Sequence, residues 1–514
     1  MPHVGNALGY RQQEWFDARN QSAVDRIAVA TGVSTMPSSS GDLNASSRGG
    51  GRSVEFFDQI NKASIVMLEE GGLVPGPMAA KIADGIMQVI AQESASGSPR
   101  SADYLDFEPK LTALIGQNAS RLHMGRSRQD IGATIARMSL RDGLLREYET
   151  LVASREKLLA MAREHKQTII PAYTHGVQAQ PTTFAHYLLA WESAVARTSD
   201  RLQQAYRRIN KSPLGAAALG TSSLPIDRKR LAGMLGFDGL VENSYDANHL
   251  SSTDSSLEVA SALHICAIQL GQFAQDLHAQ YAAPAPWLML SEGKLTGVSS
   301  LMPQKRNPAA LEQLRTQSSI MAGEMQTVFL LSHNNRPGMF DSRSYDPVPS
   351  ARPMQVFQLF LQVLNGLVVN EDRALAEVNA DYSTTSELAD ALLRAADVPF
   401  RIGHHYASKL TNYGRSHNLR LNEIPYAEAA RIYRAEAKQD FPLGEAEFRE
   451  TISARHMVSA SKGIGGPQLA EVTRMLADGH IKIESDIDWL TSRKDHLSAA
   501  QSALNKAVAA LAAG

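Results

Sequence analysis

Ser299 and Ser300 precede Lys305 by six and five residues in the run Thr296-Gly297-Val298-Ser299-Ser300-Leu301-Met302-Pro303-Gln304-Lys305-Arg306-Asn307-Pro308. The small residues make this a loop. The Asn307-Pro308 step opens a helix: Asn307 suits the N-cap, and Pro308 suits the first position, where a missing N–H costs little. Leu311, Leu314, Met321, Met325 and Val328 follow at helical spacing. A hydroxyl-bearing loop with an ammonium thus leads into the positive end of a helix dipole, which suits an anion.

Two further runs carry reactive groups. Ser120-Arg121-Leu122-His123-Met124-Gly125-Arg126-Ser127-Arg128-Gln129-Asp130 is basic and hydroxyl-bearing. Taken alone it is a solvated basic turn, because charges usually sit on surfaces. Tyr173-Thr174-His175-Gly176-Val177-Gln178-Ala179-Gln180-Pro181 contains one histidine. An isolated histidine is usually structural, its polar tip easily satisfied within a fold.

Together the three runs resemble the motifs of the fumarase/aspartase superfamily, and most closely its argininosuccinate lyase branch. The serine loop is similar to G-S-S-x-M-P-x-K-x-N, with Val298 where the family has glycine and Gly297 just before it. The second run resembles L-H-T-G-R-S-R-N-D, with Gln129 in place of asparagine. The third resembles Y-T-H-x-Q-x-A-Q-P, with Val177 in place of a glutamine. Ser212-Pro213-Leu214-Gly215-Ala216, Leu224-Pro225-Ile226-Asp227-Arg228, Leu388-Ala389-Asp390 and Val398-Pro399-Phe400-Arg401 extend the likeness, which covers about Phe56 to Leu476.

The resemblance implies roles. Ser299 is the catalytic base. His175, held by Glu312 seven residues beyond Lys305, assists protonation of the leaving group. Ser127, Arg128, Gln129, Thr174 and Gln180 bind substrate, and an arginine fork suits a carboxylate. Lys305, Asn307 and the helix start stabilise the aci-carboxylate dianion formed when the Cβ proton leaves. The reaction is elimination from an N-substituted aspartate, giving fumarate and an amine. It requires no metal and no cofactor. The assembly implied is a homotetramer whose active sites are shared between subunits.

The amine half departs from the family. Its Y-N-R-D-L-Q-E-D-K loop corresponds to Asn334-Asn335-Arg336-Pro337-Gly338-Met339-Phe340-Asp341-Ser342, which loses tyrosine, glutamine and lysine; Arg343 replaces the lysine if the register slips by one. A pocket stripped of polar partners rejects the ligand that needed them. The favoured substrate is therefore another N-substituted aspartate, such as the aminopolycarboxylate ethylenediamine-disuccinate. The alternatives are a genuine argininosuccinate lyase of arginine biosynthesis and a non-catalytic, crystallin-like structural protein.

These groups need a frame, and composition specifies an all-α one. The 514 residues are rich in helix formers and only 6% aromatic, and the net charge of −2 offers no field for nucleic acid. No apolar run approaches ~18 residues, which argues against a membrane span. The start of the chain lacks signal-peptide features, and Cys266 is alone, which fits a cytoplasmic protein. No cysteine or histidine cluster has metal-ligand spacing.

Met138, Leu145, Tyr148, Val152, Leu159 and Ala162 form one helical stripe. Phe184, Leu188, Trp191, Val195, Leu202 and Ile209 form another. Both read as core packing. Leu257 to Leu277 is apolar on more than one face and must be covered on most sides. The expected organisation is a flexible N-terminal extension (1–55), an N-terminal helical domain (56–125), a central long-helix bundle with the serine loop (126–382), a C-terminal helical domain (383–486) and an extra C-terminal helix (487–514). The Ser/Gly-rich stretch 35–53 is too polar to offset chain entropy.

Overall fold

The computed structural model describes residues 52–95, 100–283, 285–339 and 352–514. The architecture is helical, with short two-stranded pairings that trim the connections. Helix α1 (Arg52–Glu70) begins inside the stretch expected to be flexible. It packs with α2 (Gly76–Ala95) and α3 (Tyr104–Ile115) through Phe57, Ile60, Ile82, Ile86, Phe107 and Leu111. The Phe57 and Phe107 rings meet edge to face at 5.7 Å.

Helix α4 (Arg128–Glu164) runs 37 residues, about 55 Å at 1.5 Å per residue. Its predicted stripe is buried from Met138 to Ala162. A hairpin follows, β1 (Ile169–Thr174) with β2 (Val177–Thr183), and then α5 (Phe184–Ile209) returns along α4. The hairpin is a feature that helical patterning does not foresee. Short helices α6 (Arg228–Met234) and α7 (Ser244–His249) lead to α8 (Ser251–Tyr281).

By length and composition α8 could cross a bilayer, contrary to the reading that no segment approaches that limit. Here it is a core helix, with Val259, Leu263, Cys266, Leu270, Phe273 and Leu277 buried against its neighbours. Strands β3 (Leu288–Leu290), β4 (Gly297–Val298) and β5 (Arg306–Asn307) precede α9 (Ala309–Ser332). Helix α9 packs antiparallel on α8: Arg315 reaches Gln275 and His278, and the carbonyl of Ala322 lies 2.9 Å from His264 Nδ1. Next come α10 (Arg352–Gly366), β6 (Leu367–Val369), which pairs with β3, and α11 (Glu371–Ala380).

A third core gathers α12 (Thr385–Ala396), α13 (Phe400–Ser416), α14 (Tyr426–Ala437) and α15 (Glu445–Thr451) around Leu388, Tyr406, Leu410, Tyr433 and Phe448; α16 (Ala454–Ala460) follows. The last helix, α17 (Leu469–Ala512), has 44 residues and travels back along α4 and α5. Buried Arg155 joins it to the bundle by pairing with both Glu192 and Asp486. Its far end places Leu504 and Val508 in the core of α1–α3.

Candidate active site

The run Ser120–Asp130 lies where a 3-10 turn (Gln117–His123) hands over to α4. Ser127 is the N-cap: its Oγ accepts the Gln129 N–H at 3.2 Å, and its own N–H donates to Asp130 Oδ1 at 2.8 Å. Asp130 Oδ2 accepts the N–H groups of Gly215 at 2.9 Å and Ala217 at 3.1 Å. Burial nevertheless holds the Asp130 carboxyl above its ordinary range. One carboxylate thus ties the Ser127 turn to the 212–217 loop, a role the sequence reading left unassigned.

Beneath the turn, buried Arg126 donates to Asn61 Oδ1 and Ser64 Oγ, each at 3.0 Å, and lies over the Tyr104 ring. His123 stacks on the same ring at 3.9 Å. Burial, with the Arg126 charge second, pushes its imidazole down to about 4, so it is neutral near pH 7. Arg128 is exposed and pairs with Asp103 at 2.8 Å. That exposed pair contributes little, so another carboxylate could replace Asp103 at small cost. Gln129 donates to the Asn248 carbonyl at 3.3 Å and lies 3.4 Å from His249 Nδ1.

The hairpin places Thr174, His175 and Gln180 at an exposed tip and edge. His175 (φ 56°) and Gly176 (φ 74°) form the two-residue connection between Thr174 and Val177. Two consecutive positive φ values define a type I′ turn, whose twist suits a hairpin. Gln178 anchors the tip by donating to the Val378 carbonyl and Ser383 Oγ, each at 3.1 Å. His175 is exposed at this turn.

In the serine loop, Gly297 pairs with Asn307 and Val298 with Arg306, which closes residues 299–305 into a small excursion. Asn307 is therefore a strand residue and not the expected N-cap. Pro308 occupies the cap position, and α9 begins at Ala309. The strand pairing and the Ala310 N–H to Leu295 carbonyl bond outcompete a side-chain cap. Ser299 Oγ accepts the N–H groups of Met302 at 3.0 Å and Leu301 at 3.3 Å. Donors aimed at that oxygen favour its anionic form. Lys305 and Glu312 are exposed, as are the apolar side chains of Val298 and Leu301, at 80% and 84%.

Within one chain the Ser127 turn lies far from the other two motifs. Ser127 caps the start of α4, while the hairpin follows its end, about 55 Å away. Gln129 contacts His249, just before α8, while the serine loop follows the end of α8, about 46 Å away over its 31 residues. His175 and Glu312 share no hydrogen bond or ion pair among the described residues. The loop after α9 does come close to the Gln129 partner His249: a Cβ on Gly338 would lie 3.4 Å from that ring. The later positions of that loop, Phe340 to Arg343, lie outside the described residues. Among the described residues no group of three or more His, Cys, Asp or Glu could hold a metal ion.

The comparisons with known proteins decide the family. The lyase family matches residues 81–323, and the argininosuccinate lyase C-terminal family matches 382–459. The chain is 31% identical to argininosuccinate lyase 1 of Shouchella clausii over 87% of this chain and 91% of that protein. The chain belongs to the argininosuccinate lyase-like branch of the fumarase/aspartase superfamily. Argininosuccinate lyase of Methanosarcina mazei is 30% identical over 86% of this chain and 90% of its own length. The crystal structure of EDDS lyase in complex with formate superposes with a TM-score of 0.81, at 28% identity, over 90% of this chain and 92% of that one. Membership in this branch makes the protein a fumarate-releasing carbon–nitrogen lyase with the all-α fold of the superfamily.

Proposed function

We propose that the protein eliminates an amine from an N-substituted aspartate to give fumarate, reversibly, and that argininosuccinate is not its preferred substrate. The carrying observation is the Ser299 hydroxyl held by two backbone N–H groups at the mouth of a loop that ends at Lys305 and α9. Ser299 removes the Cβ proton of the succinyl half. Lys305, Asn307 and the α9 N-terminus stabilise the dianion that results. Ser127, Arg128, Gln129, Thr174 and Gln180 hold the substrate. His175, oriented by a Glu312 carboxylate, assists departure of the amine.

The separation of these groups along α4 and α8 calls for more than one copy. The site is complete in a homotetramer, where helices from different chains bring the ends together. Ile268 on α8 and Ile320, Phe329, Leu330 and Leu331 on α9 are exposed apolar side chains that such packing would cover. Closure of the serine loop over substrate would exclude water and cover Val298 and Leu301. The single buried Cys266 fits a cytoplasmic enzyme.

The amine half carries the substrate reading. Asn334 and Met339 stand where the resemblance places tyrosine and glutamine, so the polar grip on an arginine-like group is reduced. An aminopolycarboxylate such as ethylenediamine-disuccinate fits the remaining site. The second reading, a true argininosuccinate lyase, is favoured by the identity to the Shouchella and Methanosarcina enzymes.

Two measurements test this. Ser299→Ala should lower turnover by at least ~100-fold while a succinyl ligand still binds; near-wild-type turnover removes Ser299 as the base. Comparison of kcat/KM for argininosuccinate and for N-substituted aspartates chooses between substrates. Argininosuccinate cleavage at ~10⁴ M⁻¹s⁻¹ or above would establish the second reading.

A further inference from the structure

Gln178 and Gln180 stand two apart on β2, and regular alternation would aim both at one face of the hairpin. The register prevents this. Tyr173 pairs with Gln178 and Ala172 with Gln180, which leaves Ala179 without a partner, a β-bulge. Cross-strand partners share a face, and consecutive Ala172 and Tyr173 occupy opposite ones. The bulge therefore turns Gln178 and Gln180 to opposite sides of the hairpin. Burial agrees: Gln180 is exposed, whereas Gln178 is half-buried.

The side that Gln178 takes is that of the link into the C-terminal helices. Its Nε2 donates to the Val378 carbonyl near the end of α11 and to Ser383 Oγ just before α12, each at 3.1 Å. A backbone carbonyl can only accept, so the amide has one orientation here, and both of its N–H groups are engaged. The base of the hairpin is fastened to the same elements. Thr168 donates to Glu371 at 2.9 Å, at the start of α11, and Ile169 is buried with Val378 and with Ala454 of α16. Thr384, beside Ser383, donates to the carbonyl of Ile452, a member of the third core, at 2.7 Å. Only Gly176 and Val177 separate Gln178 from His175, so a tie at Gln178 holds the turn against this link.

We propose that Gln178 is a positioning residue for His175: its amide ties the His175-Gly176 turn to the link that begins the C-terminal helices, while the Ala179 bulge leaves Gln180 on the opposite side of the hairpin. The inference rests on the role given to His175 above. Gln178 touches no reacting atom and acts through the turn alone. A small displacement of an acid–base group costs rate steeply. Binding of the succinyl half, held by other residues, is left as it was.

The test measures fumarate release by the full-length enzyme from whichever of argininosuccinate and ethylenediamine-disuccinate wild type cleaves faster. Gln178→Met keeps the length of the side chain but removes both donors. It should lower kcat at least ~10-fold with KM within ~3-fold, because misplacement by ~1 Å can cost ~100-fold in rate. In a His175→Ala background the same substitution should change the residual kcat by less than ~2-fold, since a residue that acts through His175 then has nothing to position. Ser383→Ala removes one of the two acceptors without touching the hairpin. It should lower kcat ~3-fold, the scale of one neutral hydrogen bond, and again only while His175 is present. It is the deciding variant if the methionine form does not assemble. An unchanged kcat in Gln178→Met, a loss confined to KM, or equal factors in both backgrounds would overturn the inference. His175→Ala with near-wild-type turnover, or wild type that releases fumarate from neither substrate, overturns the underlying reading instead.

Discussion

At the Ser127 end of the bundle, Asp130 accepts three backbone N–H groups, Arg126 is buried on Asn61 and Ser64, and Gln129 is tied to Asn248. At the opposite end, Lys305, Glu312, Thr174 and His175 stand exposed, and the serine loop shows Val298 and Leu301 to solvent. One end is organised by its own chain, with carboxylate and amide partners in place. The other has its backbone set by a hairpin and a short strand pair, while its reactive side chains reach outward. The difference teaches that one end is prebuilt by contacts within its own chain, whereas the other presents its polar side chains to solvent.

The largest effect should come from mixing defective chains. Ser299→Ala and His175→Ala are each expected to be nearly inactive, and co-refolded mixed tetramers should regain measurable fumarate release if the two groups come from different subunits. Verified mixed tetramers with no recovery would mean that one chain supplies both, and the contrast between the ends would lose its meaning.

Stability should divide the ends as sharply as activity does. Asp130→Ala leaves three inward N–H groups without their acceptor and should cost ~3–5 kcal/mol in denaturant unfolding, as for loss of one partner in a buried polar network. Glu312→Gln, at the exposed end, should change stability by less than ~0.5 kcal/mol while lowering turnover. Equal destabilisation by the two would contradict the division. A smaller loss is expected where the last helix reaches the prebuilt end: Leu504→Ala should cost ~2–4 kcal/mol, the range for a buried leucine. A neutral outcome would mean that the end of α17 does not brace α1–α3.

The smallest effect lies between the two ends. Glu147 is buried in the bundle, and burial pushes its carboxyl up to about 8 from an ordinary 4.5. The folded state then holds a proton that the unfolded chain releases, so this group's contribution to stability falls as pH rises from about 4.5 to 8. Glu147→Gln, which stays neutral, should lie within ~1 kcal/mol of wild type at pH 5 and become the more stable form by pH 8. Parallel pH profiles would show that Glu147 ionises freely.

Much of the frame was legible in the residues. The stripe from Met138 to Ala162 and the run from Leu311 to Val328 are buried on their predicted faces, because a 3.6-residue period has one helical solution. The His175-Gly176 and Pro337-Gly338 pairs were turn signals that helical patterning passed over. Asn307 illustrates a limit of another kind. Its local preference for an N-cap is worth about 1 kcal/mol, and a backbone pairing with Gly297 overrides it.

The sequence by itself determined the helical class, the three motif runs and the chemistry their side chains can perform. These depend on residue type and short spacing, which a linear chain carries in full. Only the tertiary structure decided where the runs lie. Helices α4 and α8 are rigid rods that hold their ends about 50 Å apart, so motifs close in sequence to one helix end cannot reach the other. The same packing brings His249 against Gln129 across 120 residues and lays Gly338 on its ring. No local pattern encodes that meeting, because it is set by how α4, α8 and α9 stack and not by any single residue's preference.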